Sequence, residues 1–366
     1  MARRDIESEK IASLRGRLLE WYELNRRDLP WRKGNDAYAI WVSEIMLQQT
    51  RVAAVVERYQ AFMARFPSLV ALALASEQDV LALWSGLGYY RRARMLHKAA
   101  RFVADNYQGN LPETAEELRE LPGIGVYTAA AIASIAHGEP VAVVDGNVER
   151  VMCRLQGWES TSRTGASALR HKIDLLAAQL VDPHRPGDFN QAVMELGAMV
   201  CLPRKPQCLV CPLASDCKTR GEHKTSPRAR MLSREVAHAL SVRTGNSQDK
   251  IRGREVLLEQ RSPEQTVMQG MWELPVLRES SVPQKHLRMT VRHAIMQVNY
   301  YVRIRTVFED DVDAMTVLGG ERRWVPLNEA ATMALTGLTR KVLARAHLLP
   351  TLSLDRIAPR RDTDVL

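Results

Sequence analysis

The sequence predicts a mainly α-helical domain over 1–217, followed by a smaller α+β domain over 237–350. Three observations support this prediction. Apolar residues recur at helical spacing from residue 8 to about residue 217, with short turns of glycine and proline between them. A polar, basic stretch over 218–236 comes next, and we interpret it as a linker. Beyond the linker, the apolar residues form short β-like runs.

The first domain consists of amphipathic segments separated by turn signals. Two series of apolar residues illustrate the helical spacing: Trp41, Ile45, Val52 and Val55, then Val70, Leu74, Val80 and Trp84. Turns are marked by sequences such as Phe66-Pro-Ser and Leu121-Pro-Gly-Ile-Gly. Because β-rich stretches are nearly absent before residue 217, we expect this domain to be all-α.

The second domain is predicted from four β-like runs and one helix. The runs cover 237–242, 255–259, 291–305 and 323–325, and the closing helix lies near 328–347. Residues 351–366 are expected to form a loose tail.

Composition narrows the classes of function. Lys and Arg number 51 against 42 Asp and Glu, and the net charge of +9 favours a polyanionic partner such as nucleic acid. No apolar run reaches the length of a membrane-spanning helix. The first residues show no apolar signal segment, so we expect a cytoplasmic protein.

Four of the five cysteines form one group, Cys201, Cys208, Cys211 and Cys217. Thiolates grouped in this way usually bind a metal ion or a cluster. The spacing alone suits zinc and an iron–sulfur cluster equally well. Disulfide pairing is less favoured because the chain shows no secretory signal. The fifth cysteine, Cys153, is expected to be a small buried hydrophobic residue.

The turn Leu121-Pro-Gly-Ile-Gly lies between two helical stretches. Gly123 and Gly125 allow backbone N–H groups to approach a phosphate at the positive end of the second helix. An ordinary glycine-rich turn is the alternative. In this basic chain we favour a helix–hairpin–helix that grips DNA without reading its sequence.

Two carboxylates are candidates for acid–base chemistry. Glu44 has apolar neighbours one helical turn away on either side, and burial would raise the pKa of its carboxyl and suit it to donate a proton. Asp145 precedes an amphipathic helix, where it or Asn147 could simply cap the helix. An ionised carboxylate held there could also stabilise a developing cation. Cleavage of a glycosidic bond requires one protonated and one ionised carboxyl group of this kind.

With these residues in place, the chain resembles the adenine DNA glycosylases of the helix–hairpin–helix base-excision superfamily, which also contains endonuclease III. The matching strings run in family order through 15–217 and end in the cysteine quartet, whose spacing is the family's. They are Leu29-Pro-Trp-Arg, Trp41-Val-Ser-Glu-Ile-Met-Leu-Gln-Gln-Thr, Leu83-Trp-Ser-Gly-Leu-Gly-Tyr-Tyr, Leu121-Pro-Gly-Ile-Gly-Val-Tyr-Thr, Val144-Asp-Gly-Asn-Val and Met194-Glu-Leu-Gly-Ala-Met-Val-Cys.

The resemblance implies catalytic roles for four residues. Glu44 would protonate the adenine ring, and Asp145 would stabilise the oxocarbenium-like sugar or act as a transient nucleophile. Tyr127 and Asn147 match positions that support Asp145 and the attacking water. Tyr127 also stands where endonuclease III enzymes carry the lysine that forms a Schiff base, so the resemblance implies a monofunctional glycosylase that leaves an abasic site.

It also implies contacts with an extruded base, which cannot react while it is stacked. The residues that match positions lining or reading the adenine are Trp31, Arg32 and Glu195. Gln48 and Tyr89 match wedge residues, and Thr50 matches a contact with the opposite base, although helix surface or core packing is the alternative for all three. The cysteine quartet is implied to bind a 4Fe–4S cluster.

The second domain resembles the Nudix-like module that recognises 8-oxoguanine in the opposite strand. Its matching strings are Val256-Leu-Leu-Glu-Gln-Arg, Gly270-Met-Trp-Glu-Leu-Pro and Arg323-Trp-Val-Pro-Leu. The hydrolase box of Nudix enzymes is absent from the sequence. A Phe-Ser-His loop of the family corresponds to Val291-Arg-His here, so His293 is retained and Arg292 replaces the serine.

The implied partner is duplex DNA with adenine opposite 8-oxoguanine or guanine, bound by a monomer, at the nucleoid if the protein is bacterial. Other repair proteins are further partners that the resemblance allows. One alternative is a pyrimidine-damage glycosylase and lyase of the endonuclease III kind. Another is a non-catalytic iron–sulfur protein that binds DNA or senses redox state.

Overall fold

The computed structural model describes residues 2–159, 166–222, 230–245, 253–265, 267–312 and 320–349. The chain forms two compact units, and each of them draws on several segments. The first unit comprises Met1–Val52, Ser68–Ala73 and Lys98–Pro227, and the second comprises Ala53–Pro67, Leu74–His97 and Arg228–Leu366. No helix in the described parts of the chain is both long enough and apolar enough to cross a membrane.

The region up to residue 199 is helical, as the sequence predicts. Its helices are α1 Ala2–Asn25, α2 Ala37–Leu47, α3 Val52–Arg65, α4 Leu69–Ala73, α5 Glu77–Leu83, α6 Arg91–Asn106, α7 Ala115–Leu118, α8 Val126–Ala136, α9 Gly146–Gln156, α10 Ala166–Leu180 and α11 Pro186–Met199. Several begin at a side chain that caps the first turn. Ser76 caps α5 and Thr114 caps α7, each by accepting a hydrogen bond from a backbone N–H.

The first unit is organised around α1, α9, α10 and α11. Their apolar faces meet in one core that includes Leu18, Tyr22, Val151, Phe189 and Leu196. The helix α8 packs on α2, α7 and α11. This packing fixes the N-terminal ends of α8 and α9, from which the polar residues of the candidate site project.

The β-rich part of the second unit contains two sheets and two helices. The elements are β1 Leu232–Leu240, β2 Val242–Thr244, β3 Arg254–Gln260, β4 Trp272–Glu273, β5 Val276–Leu277, β6 Leu287–Ile295, β7 Val298–Thr306, β8 Arg322–Pro326, α12 Leu327–Ala330 and α13 Gly337–Arg345. In one sheet the strand order is β5-β1-β7-β6, and β1 runs parallel to β7 from the pair Leu232 and Val298 onward. In the other sheet β3 pairs with β2, β4 and β8.

The structure confirms the positions of the β-like runs and corrects three details. β1 begins at Leu232, so the last five residues of the expected linker belong to a strand. The run over 291–305 is two strands, β6 and β7, joined by a turn at Met296, which has a φ of 53°. The closing helix is two helices, because Thr336 caps a new helix by accepting from the Thr339 N–H. Residues 223–229 of the linker and the tail over 351–366 lie outside the described residues.

Candidate active site

Glu44 lies on α2, a helix that is buried along almost its whole length. Asp36 caps the helix by accepting from the Tyr38 N–H at 2.9 Å. The Glu44 side chain is only 7% exposed and sits among buried neighbours such as Trp41 and Ile45. The predicted burial of this carboxyl is therefore confirmed.

Burial raises the pKa of the Glu44 carboxyl above its ordinary value. The hydrogen bond from Tyr127 lowers that pKa in part, the negative charge of Asp145 raises it, and Arg32 lowers it, with a net upward shift. A raised pKa lets a carboxyl group keep its proton to higher pH than an exposed glutamate does, which suits it to act as a general acid.

Tyr127 projects from the first turn of α8 and contacts Glu44 rather than Asp145. Its hydroxyl donates to Glu44 Oε2 at 2.7 Å, and the hydroxyl oxygen lies 3.6 Å from Met194 Sδ. Burial raises the pKa of Tyr127 well above its ordinary value, and the Glu44 carboxyl adds to the shift, so the phenol stays protonated. The resemblance assigns Tyr127 to the support of Asp145, whereas in the structure its hydrogen bond is made to Glu44.

Asp145 caps α9 and is surrounded by donors. Its Oδ1 accepts from the N–H groups of Asn147 at 2.8 Å and Val148 at 2.7 Å, and its Oδ2 accepts from Asn147 Nδ2 at 2.9 Å. The capping alternative is thus confirmed, and the same geometry favours an anion at the positive end of the helix. Capping by this residue is therefore compatible with the predicted charge stabilisation.

Further supports of the segment around Asp145 come from α11, and the sequence analysis did not name them. Asn190 is buried; its Oδ1 accepts from the Val143 N–H at 3.0 Å and its Nδ2 donates to Val141 O at 2.8 Å, which fixes the segment leading to Asp145. Gly197 allows α11 to approach α9, because a β-carbon there would lie 2.6 Å from Cβ of Asn147. The sequence signal for Asn190 was its polar side chain at a position on the apolar face of α11.

The predicted residues of the first unit, apart from the cysteines, line one cavity of about 770 Å³. This volume suits a ligand of the size of a nucleoside. Its lining includes Glu44, Asp145, Tyr127, Asn147, Trp31, Arg32, Glu195, Gln48, Thr50, Gly123 and Gly125. Motifs that lie far apart in the sequence, from Trp31 to Glu195, therefore line a single cavity.

Glu195 anchors one wall of this cavity. Its carboxylate accepts from Arg27 Nη2 at 2.7 Å and from Arg32 Nη2 at 3.0 Å, and Arg27 also donates through Nε and its backbone N–H. Burial would raise the pKa of Glu195, but these hydrogen bonds outweigh it and hold the pKa at about 2. The carboxylate fixes the segment that carries the buried ring of Trp31. Arg27, which the sequence analysis missed, lies far from Glu195 along the chain.

The turn after α2 carries two predicted contacts with DNA. Gln48 Nε2 donates to Thr128 Oγ1 at 3.3 Å, and the Thr50 hydroxyl donates to Gln48 O at 3.3 Å. Between them, Gln49 has a φ of 56°, which is unusual for a residue other than glycine. This backbone geometry directs Gln48 and Thr50 toward the cavity.

The hairpin is also formed as predicted. Gly123 has a φ of 78°, a conformation that favours glycine, and Gly125 is the N-cap residue of α8. Gly125 provides no side-chain cap, and a β-carbon there would meet no heavy atom within 4 Å. The first turn of α8 therefore presents N–H groups beside open space, as an anion site requires.

Tyr89 and His293 belong to the second unit. Tyr89 is 47% exposed and has a φ of 48°. His293 lies in strand β6, not in a loop as expected from the resemblance. Arg292 points to the opposite face of the strand, where its Nη2 donates to Asn299 Oδ1 at 3.2 Å and its guanidinium lies 5.8 Å from the ring centroid of Tyr301.

The four grouped cysteines form no disulfide bond and line a second, small cavity of the first unit. Among the described residues, no three His, Cys, Asp or Glu side chains converge as ligands of one metal ion. All four thiols nevertheless line the same small cavity, and four cysteines are a ligand set of the kind that holds an iron–sulfur cluster.

The cysteine loop is tied to α9. Arg154 donates to Cys201 Sγ at 3.3 Å and to Leu202 O at 2.7 Å, and Arg150 donates to both Cys201 O and Asn147 Oδ1 at 2.8 Å. The loop thus supports the helix that presents Asp145. Cys153, the fifth cysteine, is buried as expected.

Comparison with known proteins identifies the family of this chain. A family model described as HhH-GPD superfamily base excision DNA repair protein matches residues 42–174. An adenine DNA glycosylase of Mycolicibacterium smegmatis is 44% identical over 204 residues, which cover 56% of this chain and 68% of that protein. The chain belongs to the adenine DNA glycosylase family.

Other adenine DNA glycosylases are longer than the region they share with this chain. The human protein is 50% identical over 220 residues, which cover 58% of this chain and 40% of the human protein. The chain therefore spans less than half the length of this relative. A solved structure of a thermostable thymine-DNA glycosylase aligns with a TM-score of 0.53 at 29% identity, covering 58% of this chain and 98% of that chain, which supports the helical fold.

Proposed function

We propose that this member of the adenine DNA glycosylase family hydrolyses the glycosidic bond of adenine mispaired with 8-oxoguanine or guanine in duplex DNA. The observation that carries the proposal is the pair of unlike carboxyl groups in one cavity. Glu44 is buried with a raised pKa, and Asp145 is an N-cap anion with three N–H donors. Reactions with an oxocarbenium-like transition state use such a pair.

In this proposal Glu44 donates a proton to the adenine ring as the base departs. Tyr127 holds one oxygen of Glu44, which orients the carboxyl group within the cavity. Asp145 faces the sugar and stabilises its developing positive charge. Asn147, held by Arg150, keeps the Asp145 carboxylate in place, and a water molecule completes the hydrolysis.

The reaction ends at the abasic site in this proposal. The residue at the position of the endonuclease III lysine is Tyr127, whose protonated phenol cannot form a Schiff base. Among the described residues that line the cavity, none is a lysine. Both observations favour hydrolysis without strand cleavage over the glycosylase–lyase alternative.

Two further parts of the proposal concern the cluster and the opposite base. Four cysteines, Cys201, Cys208, Cys211 and Cys217, would hold a 4Fe–4S cluster, which when bound cross-links its loop and stabilises it. The second unit would recognise 8-oxoguanine with His293 and support the extruded state with Tyr89. In this proposal the β-rich part of the second unit acts as a Nudix-like module that recognises the opposite base.

The decisive experiment is a single-turnover assay on duplexes with adenine opposite 8-oxoguanine, guanine or thymine. We expect alkali-dependent strand breaks with the first two duplexes and none before alkali. Glu44→Gln should abolish the breaks, whereas Glu20→Gln, an exposed glutamate of α1, should leave them unchanged. Absence of cleavage by the wild-type protein, or full activity of Glu44→Gln, would refute the proposal; breakage without alkali would favour the lyase.

A further inference from the structure

The loop between α5 and α6 in the second unit adopts an uncommon backbone conformation. Gly86, Gly88 and Tyr89 all have positive φ, at 98°, 69° and 48°. A residue with a β-carbon is strained in this region and keeps its conformation only if its surroundings enforce it. The exposed ring of Tyr89 therefore depends on contacts at the base of the loop.

Those contacts come from the segment around α13, also within the second unit. Arg340 Nε donates to the buried Ser85 hydroxyl at 2.7 Å, and the buried Tyr90 hydroxyl donates to Leu335 O at 3.4 Å. The same guanidinium donates to Ala331 O at 3.3 Å and Met333 O at 3.2 Å. Arg340 thus joins the base of the Ser85–Tyr90 loop to the turn that leads into α13.

The same helix also contacts the end of strand β6. Lys341 Nζ donates to Arg292 O at 2.9 Å. Gly337, the first residue of α13, lies beside the imidazole of His293, since a β-carbon there would be 3.5 Å from His293 Cε1. Consecutive residues of one short helix, Arg340 and Lys341, therefore bind the loop that carries Tyr89 and the strand that carries His293.

We propose that α13 couples recognition of the opposite base at His293 to the placement of Tyr89, with Arg340 as the positioning residue. This inference rests on the proposed function. The helix packs on the core of the second unit through its buried Val342 and Leu343, and in this proposal a shift of β6 on binding its base moves the loop as well. The coupling would make the rate of adenine excision depend on the base opposite.

The test measures single-turnover rate constants for adenine opposite 8-oxoguanine and opposite guanine, and compares their ratio between variants. We expect Arg340→Met and Lys341→Met each to lower the ratio by about tenfold, a typical size for coupling between sites. Arg345→Met, an exposed arginine of the same helix, should leave the ratio unchanged. Partial unfolding lowers both rate constants in proportion and leaves the ratio intact, which separates coupling from a stability effect.

A double variant tests the route through Ser85. If Arg340 acts through the Ser85 hydroxyl, Ser85→Ala should lower the ratio, and adding it to Arg340→Met should lower the ratio no further. A ratio within about twofold of wild type in folded Arg340→Met would overturn the inference. If Arg340→Met does not fold, the ratio of rate constants measured for Lys341→Met decides by the same criterion. A wild-type protein without adenine excision would instead refute the proposed function.

Discussion

At the scale of single residues, the notable feature is that the two carboxyl groups are tuned by different means. Glu44 is tuned by burial, with one hydrogen bond opposing it, whereas Asp145 is surrounded by backbone and side-chain donors. Glu195, a third carboxylate of the cavity, is neutralised by two arginines. Each of the three therefore has its own environment within one cavity.

Removing the Tyr127 hydroxyl should shift the pH dependence of excision. The hydrogen bond from Tyr127 lowers the pKa of Glu44, so Tyr127→Phe should raise that pKa further. Because the general acid must be protonated, the alkaline limb of the pH–rate profile should move to higher pH. Single-turnover rates measured across pH test this, with the exposed Tyr107→Phe as control. A limb that stays in place or moves to lower pH would contradict it.

Replacing Glu195 should weaken the fold. Glu195→Gln leaves Arg27 and Arg32 without their partner, and breaking such a buried pair costs about 3 kcal/mol in the free energy of unfolding. The folded pKa of Glu195 is about 2. The contribution of Glu195 to the free energy of unfolding is therefore fully present above the unfolded pKa of about 4.3. It is lost as the pH falls toward the folded pKa.

Urea titrations at several pH values measure this difference. A matched control is Asp188→Asn on the same helix, which breaks a surface ion pair with Arg185 and should cost about 1 kcal/mol or less. Equal losses for the two variants at neutral pH would show that the Glu195 site does not anchor the wall of the cavity.

At the scale of elements, Asp145 caps the first turn of α9, and the proposed function gives the same residue a chemical role. Asn caps helices about as well as Asp, whereas Ala does not. Asp145→Asn should thus keep stability within about 1 kcal/mol while reducing excision by about 100-fold or more, because the charge is lost. Asp145→Ala should lose both stability and excision activity. Thermal melts and single-turnover rates of the two variants test this; an active Asp145→Asn would reduce Asp145 to a cap.

How much could be predicted from the sequence at this scale depended on how far apart the interacting residues lie along the chain. Local signals identified the buried row around Glu44, the Gly123–Gly125 turn and the main β-like runs. The partnership of Arg27 with Glu195 could not be predicted, because it joins residues far apart in the chain. The strands β4 and β5 have only two residues each, too few for a pattern. The contact of Tyr127 with Glu44, rather than Asp145, required the packing of α8 on α2.

At the scale of the whole molecule, the cysteine loop offers a test that does not involve catalysis. Cys208→Ser should lower the bound iron and the broad visible absorption of the purified protein and reduce its stability. Cys153→Ser is the matched control, because Cys153 is buried in the core and does not line the cavity of the four thiols. A colourless wild-type protein containing zinc would contradict the cluster. Iron analysis and visible spectra provide the measurement.

The parallel pairing of β1 with β7 has a consequence for biosynthesis. During translation, β1 leaves the ribosome long before β7, the strand that separates it from β6 in the finished sheet. Until then its edge and its apolar residues Val236 and Leu240 lack their partner, and non-local pairing of this kind forms slowly. We expect β1 to gain protection late in refolding, which pulse-labelling hydrogen exchange would detect. Early protection of β1 would contradict this. A nascent chain halted before β7 would be the form most exposed to aggregation.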